Sequence, residues 1–474
     1  METRVRFAPS PTGHLHIGGA RTALYCYLYA KATNGKFILR IEDTDEERSK
    51  KEFEDELIKE MKWMGIDYDE GPDRPGDVGP YRQSERKEIY REKAQELVDK
   101  ELAYHCFCSN QELEAKKEQA MKENRPPHYD GTCRNLEPDE VARRLSAGEP
   151  AVVRFKSPRK AYVFKDRVRG RIVFPEGMVG DFVIMRSTGT PVYNFCCTID
   201  DWLMKMSHVI RAEDHLSNTL RQLMIYEAFE VTPPEFVHLS LLIGKDRQKL
   251  SKRHGATSVS QYQEDDYLPE ALANYLCLLG WSHPEELDVF KLEELKDVFT
   301  LDRFSKSSAL YDMTKLKYIN GQHLRKLPNE ELVKKAQEVL TKDNLFQTQT
   351  PEWKTECVNL LKDQIEFIKD FGPLMELFFN SQCIEDDTFN EFSQMDSTKQ
   401  IKAYLLEQLS TFEGEFIDKE MFKSWQTHLK KEMKIKGKPL FMGLRVSLTG
   451  RSQGPELLEV VPLTPVTVLK ERLQ

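Results

Sequence analysis

Arg4-Val5-Arg6-Phe7-Ala8-Pro9-Ser10-Pro11-Thr12-Gly13-His14-Leu15-His16-Ile17-Gly18-Gly19-Ala20-Arg21 is the stretch that decides the fold. Residues 5–8 read as a short strand buried on both faces. Pro9 to Gly13 mark a loop. From about residue 20, Ala20, Ala23, Leu24, Tyr27 and Leu28 fall at helical spacing, and Asn34-Gly35 is a helix stop. Residues 37–41 form a second continuous apolar run. A strand, a helix and a strand in so short a span make a βαβ unit, and that implies a parallel sheet.

Working outward, helices are predicted over 50–64 and 84–100. Residues 103–184 turn to short strands, turns and charge, which suits an inserted domain. Strand and helix patterns return over 192–229 and 238–243. From 268 onward helical periodicity dominates, with helices predicted over 292–298, 330–340, 355–371 and 398–409. The reading is a split nucleotide-binding domain with an insertion, then an all-helical half.

A chain of 474 residues exceeds what one core supports, so several domains are expected. The 39% apolar and 31% charged content is that of an ordinary globular protein. No apolar run approaches the ~20 residues that span a bilayer. The N-terminus shows no leader pattern, so a cytoplasmic location is expected. Nine cysteines, an odd count, argue against a disulfide framework. The net charge of −9 argues against indiscriminate nucleic-acid binding. Yet residues 154–171 hold eight basic residues against Asp166, and residues 423–451 hold eight against Glu432. Each is a solvated face if taken alone. Together, in an acidic chain, they favour a polyanion touching two distant places.

Two motifs carry chemistry. In the first loop, Gly18 and Gly19 let a ligand approach backbone amides at a helix N-terminus, and His16 adds a donor. This suits the phosphates of ATP; the competing reading is a glycine turn that only packs the helix. Far downstream, Lys249-Leu250-Ser251-Lys252-Arg253 sets cations around a serine. Alone it is a basic turn. Paired with the first motif, it matches the HIGH and KMSKS signatures of class I aminoacyl-tRNA synthetases.

The likeness extends further. Ala8-Pro9-Ser10-Pro11-Thr12-Gly13, Leu39-Arg40-Ile41-Glu42-Asp43-Thr44-Asp45, Gly79-Pro80-Tyr81-Arg82-Gln83-Ser84, Val209-Ile210-Arg211-Ala212-Glu213-Asp214-His215 and Leu444-Arg445-Val446-Ser447-Leu448-Thr449-Gly450 resemble bacterial glutamyl-tRNA synthetases. The resemblance covers nearly the whole chain. It implies an α/β plus all-α protein: a split Rossmann-like parallel-sheet catalytic domain with an inserted α+β domain, then an all-helical C-terminal half. The boundaries it implies are 1–102 and 191–256 for the catalytic halves, the second with the KLSKR loop. Residues 103–190 would form the inserted acceptor-binding domain, 257–325 a helical stem-contact domain, and 326–474 the anticodon-binding domain.

The implied activity is ATP-dependent activation of glutamate to glutamyl adenylate, then transfer to the 3′-terminal adenosine of tRNA(Glu). The implied protein is a monomer that uses Mg²⁺. The alternatives are a paralogue that glutamylates a tRNA nucleoside and a non-catalytic tRNA-binding protein. The long helical half counts against the first, and retention of His16, Lys249 and Lys252 against the second. By resemblance, His16, Lys249 and Lys252 are catalytic, and Pro9, Gly13, Gly18, Gly19 and Ser251 join them around ATP. Gly19 stands where the first motif usually ends in histidine. Arg6, Ser10, Glu42, Tyr193 and Arg211 are the implied glutamate contacts, with Arg211 on the side-chain carboxylate and Glu42 on the ammonium. Cys197 stands where some relatives have a polar amide.

Cys106, Cys108 and, after 24 intervening residues, Cys133 match the spacing of a zinc site in relatives, which place a histidine two residues later. Here that position is Asn135, a poor zinc ligand. Zinc, completed by His105, His128 or Tyr129, and a metal-free knuckle both stay open. Gln364 matches the position where strictly discriminating relatives use arginine to read the third anticodon base. A glutamine amide donates and accepts, so charging of tRNA(Gln) as well is a second open expectation.

Overall fold

The structure, a computed structural model of the chain, describes residues 2–45, 47–251, 257–340 and 345–474. Lys252, and with it the later part of the KLSKR loop, lies outside the described residues. The chain forms two compact units, Met1–Leu316 and Lys317–Gln474.

In the first unit β1 (Arg4–Phe7), α1 (Ile17–Ala32) and β2 (Lys36–Leu39) make the expected parallel βαβ unit, in register Arg4 to Lys36 through Phe7 to Leu39. Both strands are buried, which is why they read as continuous apolar runs. The chain leaves α1 through Asn34 at φ 50°. A Cβ at Gly35 would run into the Thr3 backbone, so the stop also brings β2 against β1. Next come α2 (Lys51–Trp63) and α3 (Lys87–Asp99), β3 (Ala103–Cys106), α4 (Asn110–Lys122), α5 (Pro138–Ser146) and β4 (Val152–Phe155). A hairpin of β5 (Tyr162–Asp166) and β6 (Gly170–Phe174) follows, then β7 (Phe182–Met185). Strands β3, β4 and β7 form one antiparallel sheet. The hairpin instead joins a second sheet, where Asp166 of β5 pairs in parallel with Phe236.

After α6 (Tyr193–Leu203) come β8 (His208–Ala212), α7 (Leu216–Ala228) and β9 (Glu235–Leu239). Strands β8 and β9 are parallel. Ser207, just before β8, donates its amide to the Arg4 carbonyl of β1. Short β10 (Leu242–Ile243), α8 (Val259–Glu264), α9 (Pro269–Leu278) and β11 (Ala309–Leu310) lead to α10 (Met313–Lys326), within which the chain enters the second unit.

The second unit is helical: α11 (Asn329–Val339), α12 (Pro351–Leu361), α13 (Phe371–Phe379), α14 (Asp387–Ser393), α15 (Asp396–Ser410), α16 (Lys419–Lys431), α17 (Lys438–Thr449), α18 (Leu457–Val460) and α19 (Val466–Leu473). Leu405, Trp425, Leu444 and Leu469 sit in one core of this unit, each worth about 1.5–3 kcal/mol of burial or more.

Two expected helices differ. Residues 292–298 form a 3-10 turn, Leu292–Asp297. The helix expected over 355–371 breaks after Leu361 into two 3-10 turns, Lys362–Gln364 and Ile368–Asp370. Ile365 between them is extended and buried. Arg325 donates to the carbonyls of Asp363 and Ile365, and Asn320 to that of Glu366, so side chains of α10 replace the helical bonds. Among the described residues no helix is long and apolar enough to cross a membrane.

Candidate active site

The ends of β1 and β8 and the start of α1 enclose a cleft of ≈ 550 Å³, the place where open parallel sheets bind ligands. Arg6, Ser10, His16, Gly18, Gly19, Glu42, Tyr193, Arg211 and Lys249 all line it. Pro9 and Gly13 line a neighbouring cleft that shares Ser10, His16 and Gly19 with the first. Ser251 is exposed and lines neither.

The phosphate-like end is built by α1. His16 is its N-cap, and its Nδ1 accepts from the Gly18 amide at 3.0 Å. That bond places the imidazole proton on Nε2, which is left to donate. A Cβ at Gly18 would meet His16 Nδ1 at 3.2 Å, so a side chain there would push the ring aside. Desolvation and the Lys249 ammonium hold His16 below its ordinary range, so the ring is neutral at pH 7. Lys249 donates to Asp214 Oδ2 at 2.7 Å. Cation, neutral donor and helix N-terminus together suit an anion with several oxygens.

The other end is built on guanidinium groups that are already held. Arg211 donates through Nε to His238 Nε2 at 3.2 Å, and through Nη2 to Thr219 and Gln222, both at 2.8 Å. His238 is oriented in turn by Asp166 at 2.6 Å from its Nδ1. Arg211 Nη1 is buried with no protein partner, which is costly unless a ligand completes it. Arg6 is forked onto Asp201 by bonds of 2.9 and 3.2 Å. Asp201 also accepts from Arg40 Nη1 at 2.7 Å, and Arg40 Nη2 reaches Glu42 at 3.3 Å. Burial pushes the Glu42 carboxyl up to about 7, against the pull of Arg40 and Arg6. Burial also opposes the Asp201 charge, but Arg40 and Arg6 outweigh it and hold that carboxyl at about 2.

Several residues of this site were not singled out in the sequence. Asp214, His215 and Asn218 line the cleft. Tyr193 Oη lies 3.1 Å from His215 Nδ1, and burial together with Arg211 pushes His215 down to about 4. Asp214 and His215 stood in the segment Val209 to His215 without a role assigned to them, and the only signal for Asn218 was its nearness to Arg211. Behind the cleft, Asp200 accepts from Gln83 at 2.9 Å, Arg86 at 2.7 Å and Tyr90 at 2.8 Å. Cys197 is buried among Arg6, Arg40 and Asp201, with contacts of 3.6 to 3.8 Å.

The sulfurs of Cys106, Cys108 and Cys133 lie within 4.8 Å of one another. Asn135 is exposed. The fourth group against it is the Tyr129 hydroxyl, 3.3 Å from Cys106 Sγ and 3.5 Å from Cys108 Sγ. Arg154 covers that ring, 4.0 Å from its centroid.

The two basic stretches differ in kind. In the first, Arg154 is stacked, Lys160 pairs with Glu227, Arg167 with Asp302 and Arg169 with Glu213. Much of that charge is spent inside the protein. In the second, Lys430, Lys431, Lys434 and Lys436 are exposed and have no ion pair among the described residues. Gln364 is exposed at the end of its 3-10 turn, presented by the carbonyls that Arg325 holds.

Residues 2–318 match the family model described as tRNA synthetases class I (E and Q), catalytic domain, and residues 331–474 match an anticodon binding domain. Among curated relatives, glutamate–tRNA ligase 1 of Fervidobacterium nodosum is 45% identical over 480 residues, covering 100% of this chain and 98% of that protein. Glutamate–tRNA ligase 1 of Caldicellulosiruptor saccharolyticus is 43% identical over 485 residues, covering 100% and 99%. Among solved structures, a glutamate tRNA ligase from Elizabethkingia meningosepticum in complex with its amino acid matches with a TM-score of 0.90 at 32% identity, covering 100% of this chain and 98% of that one.

Proposed function

The chain belongs to the glutamate–tRNA ligase family of class I tRNA synthetases, and from that premise we propose how its cleft performs the reaction. The observation that carries the reading is Arg211, a buried guanidinium with one donor unpartnered in a cleft shared by Glu42, Arg6, His16 and Lys249. Glutamate offers two carboxylates and an ammonium. Arg211 receives the side-chain carboxylate through its spare Nη1, and Glu42 receives the ammonium. Arg6 and Ser10 hold the α-carboxylate end, and Tyr193 borders the side chain.

The α-carboxylate oxygen then attacks the α-phosphorus of ATP, the bond to the pyrophosphate oxygen breaks, and glutamyl adenylate forms. The terminal ribose hydroxyl of tRNA attacks the acyl carbon, loses its proton and expels AMP. No protein nucleophile is needed. Rate comes from positioning and from donors set where negative charge develops. His16 Nε2, the amides of Gly18 and Gly19, Lys249, Ser251 and Lys252 are those donors, with Pro9 and Gly13 shaping the loop. Lys249 must exchange its Asp214 carboxylate for phosphate oxygens. Mg²⁺, when bound, adds charge neutralisation on the phosphates. Residues 103–190 receive the acceptor end, 257–325 the stem and 326–474 the anticodon.

Charging of purified tRNA(Glu) with glutamate and ATP tests the reading; no charging would reject it. Adding tRNA(Gln) tests Gln364. We expect measurable glutamylation of tRNA(Gln), suppressed selectively by Gln364→Arg. A rate below about a thousandth of that for tRNA(Glu), ~4 kcal/mol, would remove Gln364 from the reading.

Glu42 must be ionised to hold an ammonium. With its carboxyl at about 7 in the free protein, kcat/KM for glutamate should fall about tenfold per pH unit below that value and level off above it. In Glu42→Gln that inflection should vanish. An inflection that survives in the variant assigns it to another group.

The cysteine cluster fits zinc: three thiols converge and a hydroxyl stands at the fourth place. Cys106, Cys108, Cys133 and Tyr129 would hold a structural ion remote from the chemistry. One equivalent of zinc is expected in purified protein, lost in Cys108→Ser. A metal content near zero with full charging activity identifies a metal-free knuckle.

A further inference from the structure

We propose that Phe441 is a stacking platform for an unpaired base of the RNA loop bound by the second unit. The proposal rests on the tRNA reading above and extends it to a residue that the site had not included. Phe441 is 59% exposed on α17. The neighbouring apolar positions are spoken for. Leu440, Leu444 and Leu448 enter the main core of the unit, and Val446 and Met442 pack with Phe389 and Phe392. Phe441 has no ring or cation partner among the described residues. Its neighbour one turn on is Arg445, since positions four apart share a helix face. Arg445 donates through Nη2 to the Pro455 carbonyl at 3.0 Å, while its Nη1 is buried with no protein partner.

The occupant follows from charge. Lys434, Lys436 and Lys438 precede Phe441 and are exposed, in the stretch where eight basic residues face one acid. A second copy of this chain would bring two such lysine sets together and repel itself. A single-stranded polyanion with flat apolar bases is attracted by the lysines and stacks on the ring. A duplex buries its base faces and offers the ring nothing. The geometry therefore points to a loop base stacked on Phe441 while adjacent phosphates lie along Lys434, Lys436 and Lys438.

The experiment titrates the full chain with an RNA hairpin that carries the anticodon loop of tRNA(Glu). Phe441→Ala should weaken binding about tenfold or more, and Phe441→Leu nearly as much. Phe441→Trp should stay within about threefold of the original by the same stacking argument. The salt slope of binding should be unchanged in Phe441→Ala but lowered by about one in Lys436→Gln. An unchanged unfolding midpoint in each variant keeps the comparison to the surface. If the original chain binds the hairpin and Phe441→Ala binds equally well, the stacking role is overturned and the tRNA reading stands. Equal binding by Phe441→Leu overturns it too, because an apolar contact then suffices. Failure of the original chain to bind the hairpin overturns the stacking role, and the tRNA reading is then decided by the charging assay alone.

Discussion

Arg211→Ala should lower kcat/KM for glutamate by about a thousandfold, ~4 kcal/mol, the scale of losing one partner of a buried, hydrogen-bonded charge pair. The size follows from how completely the group is prepared. Three contacts from His238, Thr219 and Gln222 fix the guanidinium before substrate arrives, so little ordering entropy remains to oppose binding. The spare Nη1 is already desolvated, so its bond to a carboxylate exchanges no water on the protein side. Without Arg211 the substrate carboxylate enters a buried pocket uncompensated. Arg211→Lys should recover only a small part, because an ammonium cannot hold three neighbours and a ligand in one plane. Asp166→Asn should act through His238 and raise KM for glutamate more than it lowers kcat. Steady-state charging kinetics with saturating tRNA decide the matter. A loss under tenfold for Arg211→Ala means that the side-chain carboxylate is held elsewhere.

The parts of this protein legible in its sequence are those written in short-range periodicity. The βαβ unit was readable because β1 and β2 are buried on both faces and α1 keeps helical spacing between them. The cleft residues on the first loop were readable because glycine and histidine at a strand-to-helix turn admit few roles. What depends on distant partners was not. Asp200 and Asp201 close the helix Tyr193–Leu203, where two acids beside Trp202 look like an ordinary solvated end. Their burial exists only because Arg6, Arg40 and Arg86 arrive from elsewhere in the chain. The break after Leu361 was invisible for the same reason: Arg325 and Asn320 hold it from another helix. The cysteine spacing was legible and Tyr129 was one of three candidate neighbours, but spacing could not choose among them, because Tyr129 reaches the cluster through loop geometry rather than through the interval at Asn135.

That hidden acid carries the second large effect. Asp201→Asn should destabilise the first unit by about 3–5 kcal/mol, since it leaves two buried guanidiniums without their shared counter-charge. Arg40 is fully buried and Arg6 is 4% exposed, so water cannot replace the carboxylate. The sign with pH follows from the shift. The folded-state carboxyl is depressed to about 2, below the ~3.9 of an unfolded aspartate. Its contribution is therefore fully present above roughly pH 4 and is lost as pH falls toward 2. The Asp201 share of the difference in urea midpoint between Asp201→Asn and the original chain should accordingly be constant above about pH 4 and narrow below it, while Glu42, at about 7, adds its own change between about pH 6 and 8. Adding Arg40→Met to Asp201→Asn should cost less than Arg40→Met alone, because a cation already stranded is cheaper to remove. Additive costs would show that Asp201 and Arg40 do not act as a pair. The same network orients both charged contacts at the α end of the amino-acid site, with Arg6 on one arm of Asp201 and Glu42 on the far side of Arg40. Asp201→Asn should therefore raise KM for glutamate while the pH inflection assigned to Glu42 moves, because the field around that carboxyl changes. A fall in stability with KM and inflection both unchanged would make Asp201 a structural residue alone.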